Sequence, residues 1–135
     1  MSVVSSQLSG VSRQEAQGKK MILKSETLAP FNFEGLSILD FTAGLNTSSS
    51  VARISVLPNT YHRQAWSKRS DKYYYVLSGQ LNFILDEQEN ILKAGDLCIV
   101  AQGQKFSYVN RTNQPVEILL IHTPDFDINA EVFEK

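Results

Sequence analysis

Short apolar runs alternate with turn residues along most of this chain. From Ala29 onward we find eight runs of a strand's length, rich in β-branched and aromatic residues: "LSILDFTA", "VARISVLP", "YYYVLSG", "LNFILD", "NILKAGD", "LCIVA", "KFSYVN" and "VEILLIHTP". Turn sequences such as "LNTSSS", "LPNT" and "NRTNQP" lie between them. Helical periodicity is nearly absent. The pattern predicts an all-β sandwich or barrel.

Size and charge limit the kinds of partner that the chain can have. Its 135 residues, 42% of them hydrophobic, suit one globular domain. With 13 basic and 14 acidic side chains, it has no overall field that would attract nucleic acid or an anionic membrane. Its apolar runs are also far shorter than the roughly 20 residues of a membrane helix. We therefore expect a small-molecule partner, no nucleic acid and no membrane.

The first 20 residues differ in composition from the rest of the chain. They are polar, rich in Ser and Gln, and lack the apolar segment of a secretion signal. We predict a flexible tail over residues 1–20, a single domain over 21–135 and a cytoplasmic location. A transit peptide, or a true start at Met21, remains an alternative. The lone cysteine, Cys98, excludes an internal disulfide and a cysteine-based zinc site.

Residues 59–110 contain two groups of residues at the spacing of two known motifs. The pattern Gx5HxHx4Ex6G aligns here with Asn59, Ala65, Ser67, Lys72 and Gly79. The pattern Gx5PxGx2Hx3N aligns with Gly95, Ala101, Gly103, Phe106 and Asn110. These are the motifs of the cupin superfamily, which the chain therefore resembles. The resemblance implies a cupin-type double-stranded β-helix, that is, a jelly-roll barrel, and cupins commonly form homodimers.

Three of the matching residues have structural roles that do not depend on the family. Gly79 and Gly95 stand where a strand must reverse, and glycine reaches a positive φ without steric cost. Asn110 begins a turn in which its side chain can bond its own backbone two residues on. We assign these residues to the scaffold.

The four positions that supply metal ligands in metal-binding cupins carry other residue types here. They are Ala65, Ser67, Lys72 and Phe106. None offers an imidazole or a carboxylate, and the Lys72 ammonium would repel a divalent cation. A relocated site would depend on the chain's two histidines, fewer than the three protein ligands that such sites usually have. We expect no metal and no other cofactor.

Strand alternation predicts which side chains face the interior. If Lys72 points inward, Tyr74 and Val76 do so too, and Phe106 and Tyr108 share a face on a later strand. The predicted ligand-binding residues are Lys72, Tyr74, Phe106, Tyr108, Ser67, Arg53 and His62. A further candidate lining consists of Leu81, Phe83 and Leu85. The alternative is a closed core in which Phe106 fills the space of the lost metal site.

Two basic residues and the second histidine need an explanation of their own. A buried ammonium at Lys72 requires a partner, and its neighbour Asp71 faces the other way, which favours an open pocket that receives a polar or anionic ligand. Arg53, in the middle of an apolar strand, needs either a ligand or a salt bridge. His122 alternates with apolar residues of the last strand, and we interpret it as a hydrogen-bonded core or rim histidine.

These observations leave three functions open. The first is metal-free binding of a small polar or anionic metabolite. The second is a metal-free isomerase or epimerase that acts on a sugar or carbonyl substrate, with one histidine as base and Tyr74 or Tyr108 as acid. The third is a structural or interaction jelly roll with a filled core. Outward aromatic residues, Trp66, Tyr73 and Tyr75, predict a homodimer together with the resemblance.

Overall fold

The computed structural model describes residues 21–135, and the tail predicted at residues 1–20 lies outside them. These residues contain eleven strands and two short 3-10 turns, Ser25–Thr27 and Ile128–Ala130. The strands are β1 (Phe31–Phe33), β2 (Leu36–Asp40), β3 (Ser50–Val56), β4 (Tyr61–Ser67), β5 (Asp71–Ser78), β6 (Gln80–Leu85), β7 (Gln88–Lys93), β8 (Leu97–Val100), β9 (Phe106–Val109), β10 (Val116–Thr123) and β11 (Glu131–Phe133). Within residues 21–135, no helix is long and apolar enough to cross a membrane.

The strands form two antiparallel sheets that enclose one core. The first sheet has the order β1-β2-β3-β10-β5-β8, and the second has the order β11-β4-β9-β6-β7. Some neighbours in the sheets are far apart in sequence, as in the pairing of β10 with both β3 and β5, whereas β1, β2 and β3 pair in chain order. The prediction of an all-β fold is confirmed.

Alternation decides which side chains enter the core. On β10, buried positions alternate with partly exposed ones, and the last buried position is His122. On β5, Lys72, Tyr74 and Val76 are buried, whereas Tyr75 is exposed. The inward directions predicted for Lys72, Tyr74 and Val76 are therefore confirmed.

Two of the predicted scaffold residues hold tight turns. Gly79 has a φ of 86°, and a Cβ added to it would lie 2.9 Å from the carbonyl oxygen of Pro115. The side-chain oxygen of Asn110 accepts a hydrogen bond from the backbone N–H of Thr112 at 2.9 Å. Its amide group donates to the carbonyl oxygens of Val56 and Gln114. The expected turn at Asn110 is confirmed, and its side chain also ties β3 to that turn.

Strand β4 carries an irregularity that matters for the site. In its pairing with β9, His62 faces Tyr108 and Ala65 faces Phe106, so β4 has one residue more than β9 between these pairs. Such a β-bulge changes the direction of the side chains that follow it. Consequently His62 and Ala65 both point inward although they are three positions apart, and Tyr61 points to solvent.

Candidate functional site

A cavity of about 190 Å³ lies between the two sheets at one end of the fold. Its walls are mostly aliphatic and aromatic: Phe31, Phe33, Leu36, Ile38, Ile54, His62, Lys72, Tyr74, Tyr108, Leu120, His122, Phe126, Ile128, Glu131 and Phe133. Phe31 and Ile128 are half-exposed and stand where the cavity meets solvent. An apolar cleft with a few convergent polar groups is the usual form of a small-molecule site.

The rest of the interior is filled by side chains. Tyr74, Phe83, Phe106 and Tyr108 form one aromatic cluster with ring centroids 5.1 to 6.4 Å apart. The candidate lining of Leu81, Phe83 and Leu85 does not reach the cavity, because Leu81 and Phe83 belong to this packed part and Leu85 packs against it. The interior thus combines a closed core with an open cavity.

Lys72 has a carboxylate partner inside the cavity wall. Its Nζ donates to Oε1 of Glu131 at 2.5 Å, and the two side chains are only 5% and 2% exposed. Burial lowers the pKa of Lys72, and the charge and hydrogen bond of Glu131 oppose that shift. Nζ also lies 4.8 Å from the centre of the Phe106 ring. The ammonium is therefore already paired, which removes the reason to expect an anionic ligand.

His62 presents a proton-accepting nitrogen. Its Nδ1 lies 2.6 Å from the carbonyl oxygen of Arg63, which can only accept, so Nδ1 carries the proton and Nε2 keeps its lone pair. Burial is the largest cause that lowers the pKa of His62 to about 4, and the charge of Lys72 contributes. The ring packs beside Phe106 and Tyr108, with centroids 5.1 and 5.2 Å away. At neutral pH this imidazole is uncharged.

His122 faces the same cavity from the opposite sheet. Its ring packs edge-on against Phe126 at 5.1 Å between centroids. Burial, together with the charge of Lys72, lowers its pKa to about 3. His122 is buried, as expected of a core or rim histidine, but its Nε2 has no hydrogen-bond partner within residues 21–135.

Three buried polar atoms at the cavity lack partners in the described part of the chain. They are the Tyr108 hydroxyl, His122 Nε2 and Glu131 Oε2. Burial also raises the pKa of Tyr108, so its hydroxyl keeps its proton. Buried polar atoms without hydrogen bonds are costly and uncommon. All three belong to side chains that line one cavity.

Three predicted site residues lie away from the cavity lining. Ser67 accepts hydrogen bonds from the backbone N–H groups of Arg69 and Ser70, so it holds a turn. Phe106 is fully buried in the core beneath Lys72. Arg53 lies on the outer face of the first sheet, where its Nε donates to Glu117 at 3.2 Å. This salt bridge supplies the partner that Arg53 was expected to need. His62, Lys72, Tyr74 and Tyr108 do line the cavity.

Two polar residues of the site were not among the predicted ligand-binding residues. No strand was predicted after Pro124, yet β11 pairs with β4 and brings Glu131 opposite Ser67. The sequence held one indication of a residue such as Glu131: the buried charge of Lys72 required a carboxylate partner somewhere in the interior. His122 was placed on the inward face but was not included among the site residues.

The residues do not fit the metal that many cupins hold. Ala65, Ser67, Lys72 and Phe106, at the four ligand positions, are all buried and offer no imidazole or carboxylate. Over residues 21–135 no three His, Cys, Asp or Glu side chains come together in a way that could hold a metal ion. The cation near these positions is the ammonium of Lys72.

Comparisons with known proteins place the chain in a family. A sequence search of curated proteins found no significant match. Among solved structures, Streptomyces Pac13, described as a nucleoside dehydratase and also solved with uridine, is 26% identical with a TM-score of 0.76, over 87% of this chain and 92% of that one. KdgF from Halomonas is 13% identical with a TM-score of 0.73, over 82% and 99% of the two chains. A cupin sugar phosphate isomerase from Silicibacter pomeroyi is 20% identical with a TM-score of 0.67, over 76% and 75%.

These structures share the jelly-roll fold with this chain, as the motif spacing predicted. The sequence profile of the family described as "Cupin domain" matches residues 52–122, more than half of the chain. The protein therefore belongs to the cupin domain family.

Proposed function

We propose that the cavity binds a small polar molecule and that His62 and Tyr108 transfer protons to and from it. The observation that carries this proposal is their arrangement. The two residues are partners across β4 and β9 with rings 5.2 Å apart, and each lines the cavity. One offers a lone pair at Nε2, and the other offers a hydroxyl that is not engaged within residues 21–135.

The two groups suit a concerted reaction. The lowered pKa of His62 keeps its imidazole neutral, and the raised pKa of Tyr108 keeps its hydroxyl protonated, which are the states that a general base and a general acid need. In a dehydration, His62 takes a proton from carbon while Tyr108 gives one to the departing hydroxyl. A double bond forms, water leaves, and the proton on His62 returns to Tyr108. In an isomerisation, His62 takes a proton from one carbon while Tyr108 gives one to the neighbouring carbonyl oxygen. His62 then returns its proton to the former carbonyl carbon, and Tyr108 regains one from the adjacent hydroxyl.

The comparison with Pac13 supports this choice of residues. Its structures with uridine include variants in which one histidine is replaced by glutamine or one of two tyrosines by phenylalanine. Those tyrosines are 34 positions apart, as are Tyr74 and Tyr108. The histidine precedes the first tyrosine by 13 positions there, and His62 precedes Tyr74 by 12 here. Uridine is therefore a suitable first probe.

The test is titration calorimetry with uridine, followed by mass spectrometry of the mixture for a product that has lost water. We expect His62→Gln and Tyr108→Phe to weaken binding about three- to tenfold, the effect of one lost hydrogen bond, and to abolish turnover. Tyr61→Phe is the matched control, because Tyr61 is exposed on the same strand as His62. Variants that bind and react like the unaltered protein would overturn the assignment.

We also propose that the chain forms a homodimer through the outer face of β5 and β8. There Tyr75 pairs with Leu97, Tyr73 pairs with Ile99, and both residues of β8 are at least half-exposed. Because β8 is the edge of its sheet, it also presents unpaired backbone groups. Trp66, the other expected contact, instead lies beneath Lys105, with Nζ 5.2 Å from its ring centre.

A further inference from the structure

The ionisable side chains of the cavity wall carry no net charge together. The wall has one cation, Lys72, and one anion, Glu131, and they form an ion pair. Both histidines are uncharged at neutral pH, because burial lowers the pKa of each far below 7. Arg63 packs on the wall from outside, over the Phe133 ring. Its guanidinium pairs with the Glu34 carboxylate, with 2.7 Å between Nη2 and Oε2.

We propose that this cavity selects uncharged molecules that carry hydroxyl or carbonyl groups, such as unphosphorylated sugars and nucleosides, and that Glu131 sets this preference. The inference rests on the ligand-binding function proposed above and specifies the class of ligand. It keeps the polar ligand expected from the sequence and departs from the anionic one, because the anionic ligand assumed an unpaired Lys72.

The hydrogen-bonding groups of the wall agree with such a ligand. Glu131 Oε2 can only accept, whereas the Tyr108 hydroxyl can donate. A ligand hydroxyl satisfies either atom, since it both donates and accepts. A phosphate or carboxylate oxygen has no proton for Glu131 Oε2 and would meet a negative charge in a poorly solvated space. The carboxylate of Glu131 therefore repels anions and holds the ammonium that would otherwise attract them.

Removal of that carboxylate should reverse the preference. Glu131→Gln keeps the size of the side chain but removes the negative charge, so an anion that enters the cavity meets Lys72 without a competing carboxylate and favours the protonated form of Lys72. Glu134→Gln is the control: Glu134 is on the same chain segment and pairs with Lys105, but it does not line the cavity.

The experiment titrates uridine and uridine 5′-monophosphate, at matched ionic strength, into the unaltered protein and both variants. We expect the unaltered protein and Glu134→Gln to bind uridine at least about tenfold more tightly than its monophosphate, and Glu131→Gln to prefer the monophosphate. Equal or tighter binding of the monophosphate by the unaltered protein would overturn the proposal. A Glu131→Gln variant that gains no affinity for the monophosphate would overturn the role of Glu131.

A second measurement covers the case in which Glu131→Gln does not fold or uridine does not bind. Acetate and inorganic phosphate are titrated into the unaltered protein, with the imidazole NMR signals of His62 and His122 as the readout. The proposal predicts no saturable shift, and a saturable shift of both signals would overturn it. The proposed proton transfer is tested separately, by the turnover of the His62→Gln and Tyr108→Phe variants, so the two proposals can fail independently.

Discussion

At the level of single residues, the ion pair of Lys72 and Glu131 dominates the electrostatics of the site. Both side chains are almost fully buried, so removal of one partner leaves the other charge without compensation. We expect Lys72→Met to lower the free energy of unfolding by about 3–5 kcal/mol. The double variant Lys72→Met/Glu131→Leu should lose much less than the sum of the two single variants. Urea denaturation measures all of them, and additive losses would show that the pair is not coupled.

The two cavity histidines make stability depend on pH. Their pKa values in the fold, about 4 for His62 and about 3 for His122, lie below the unfolded value of roughly 6.5. Below a pH of roughly 6.5, the histidines of the unfolded chain therefore bind more protons than those of the folded chain. The free energy of unfolding consequently declines as the pH falls through this value. Between pH 7.5 and 5.5 we expect a loss of about 1 kcal/mol for each histidine.

Urea denaturation at a series of pH values between 7.5 and 5.5 measures this loss in the free energy of unfolding. Ordinary carboxylates titrate below this pH range and therefore contribute little to it. His62→Gln and His122→Gln should each remove about half of the pH dependence. An unchanged profile in both variants would mean that neither imidazole is buried in its neutral form.

The sequence predicted some of these residues and not others, for physical reasons. Lys72, Tyr74 and Tyr108 were assigned to the interior because strict alternation holds on β5 and β9. His62 faces inward only because of the bulge in β4, which alternation does not reveal. Glu131 lies 59 positions from Lys72, and no local pattern reports such a contact.

At the level of the elements, the turns and short strands decide where the pocket forms. The eight runs found in the sequence correspond to β2, β3 and β5 to β10. The strands at the two ends, β1 and β11, have only three residues each, too few to show a period. They form because they pair with β2 and β4, and they carry Phe31, Phe33, Glu131 and Phe133 to the cavity. Pairing with another strand, local for β1 and long-range for β11, therefore built the part of the site that the sequence did not reveal.

Two glycine turns provide a matched test of turn geometry. Both Gly79 and Gly95 have φ near 90°, but only Gly79 has a backbone atom within reach of an added Cβ. We expect Gly95→Ala to cost about 1 kcal/mol from backbone strain alone. Gly79→Ala should cost at least about 1 kcal/mol more, because its methyl group would contact the Pro115 carbonyl. Equal losses in urea denaturation would contradict the close approach at Gly79.

At the level of the whole molecule, the chain keeps a cupin barrel while the metal-ligand positions carry other residues. The glycines and Asn110 retain the turns, so the motif spacing was sufficient to predict the fold. Of the four ligand positions, Ala65 and Phe106 are fully buried in the core. Ser67 holds a turn, and Lys72 lines the cavity. The proposed site lies where residues from both sheets meet around the cavity.

The proposed homodimer gives a prediction for the assembly. We expect the unaltered protein to sediment as a dimer and Ile99→Lys, at the outer face of β8, to sediment as a monomer. Ile91→Lys is the control, because Ile91 is equally exposed but lies on β7 of the other sheet. A monomeric unaltered protein, or a dimer that Ile99→Lys leaves intact, would contradict the proposed surface.

A titration followed by histidine-selective NMR bears most closely on the function proposed here. The chain has only two histidines, and both line the cavity, so every imidazole signal reports on the site. With the ring nitrogens labelled, uridine and a panel of unphosphorylated sugars are added in turn. We predict two neutral imidazoles, with the His62 proton on Nδ1, and saturable shifts of both signals with at least one uncharged compound. Charged imidazoles at neutral pH, or signals that no compound moves, would contradict a ligand site at this cavity.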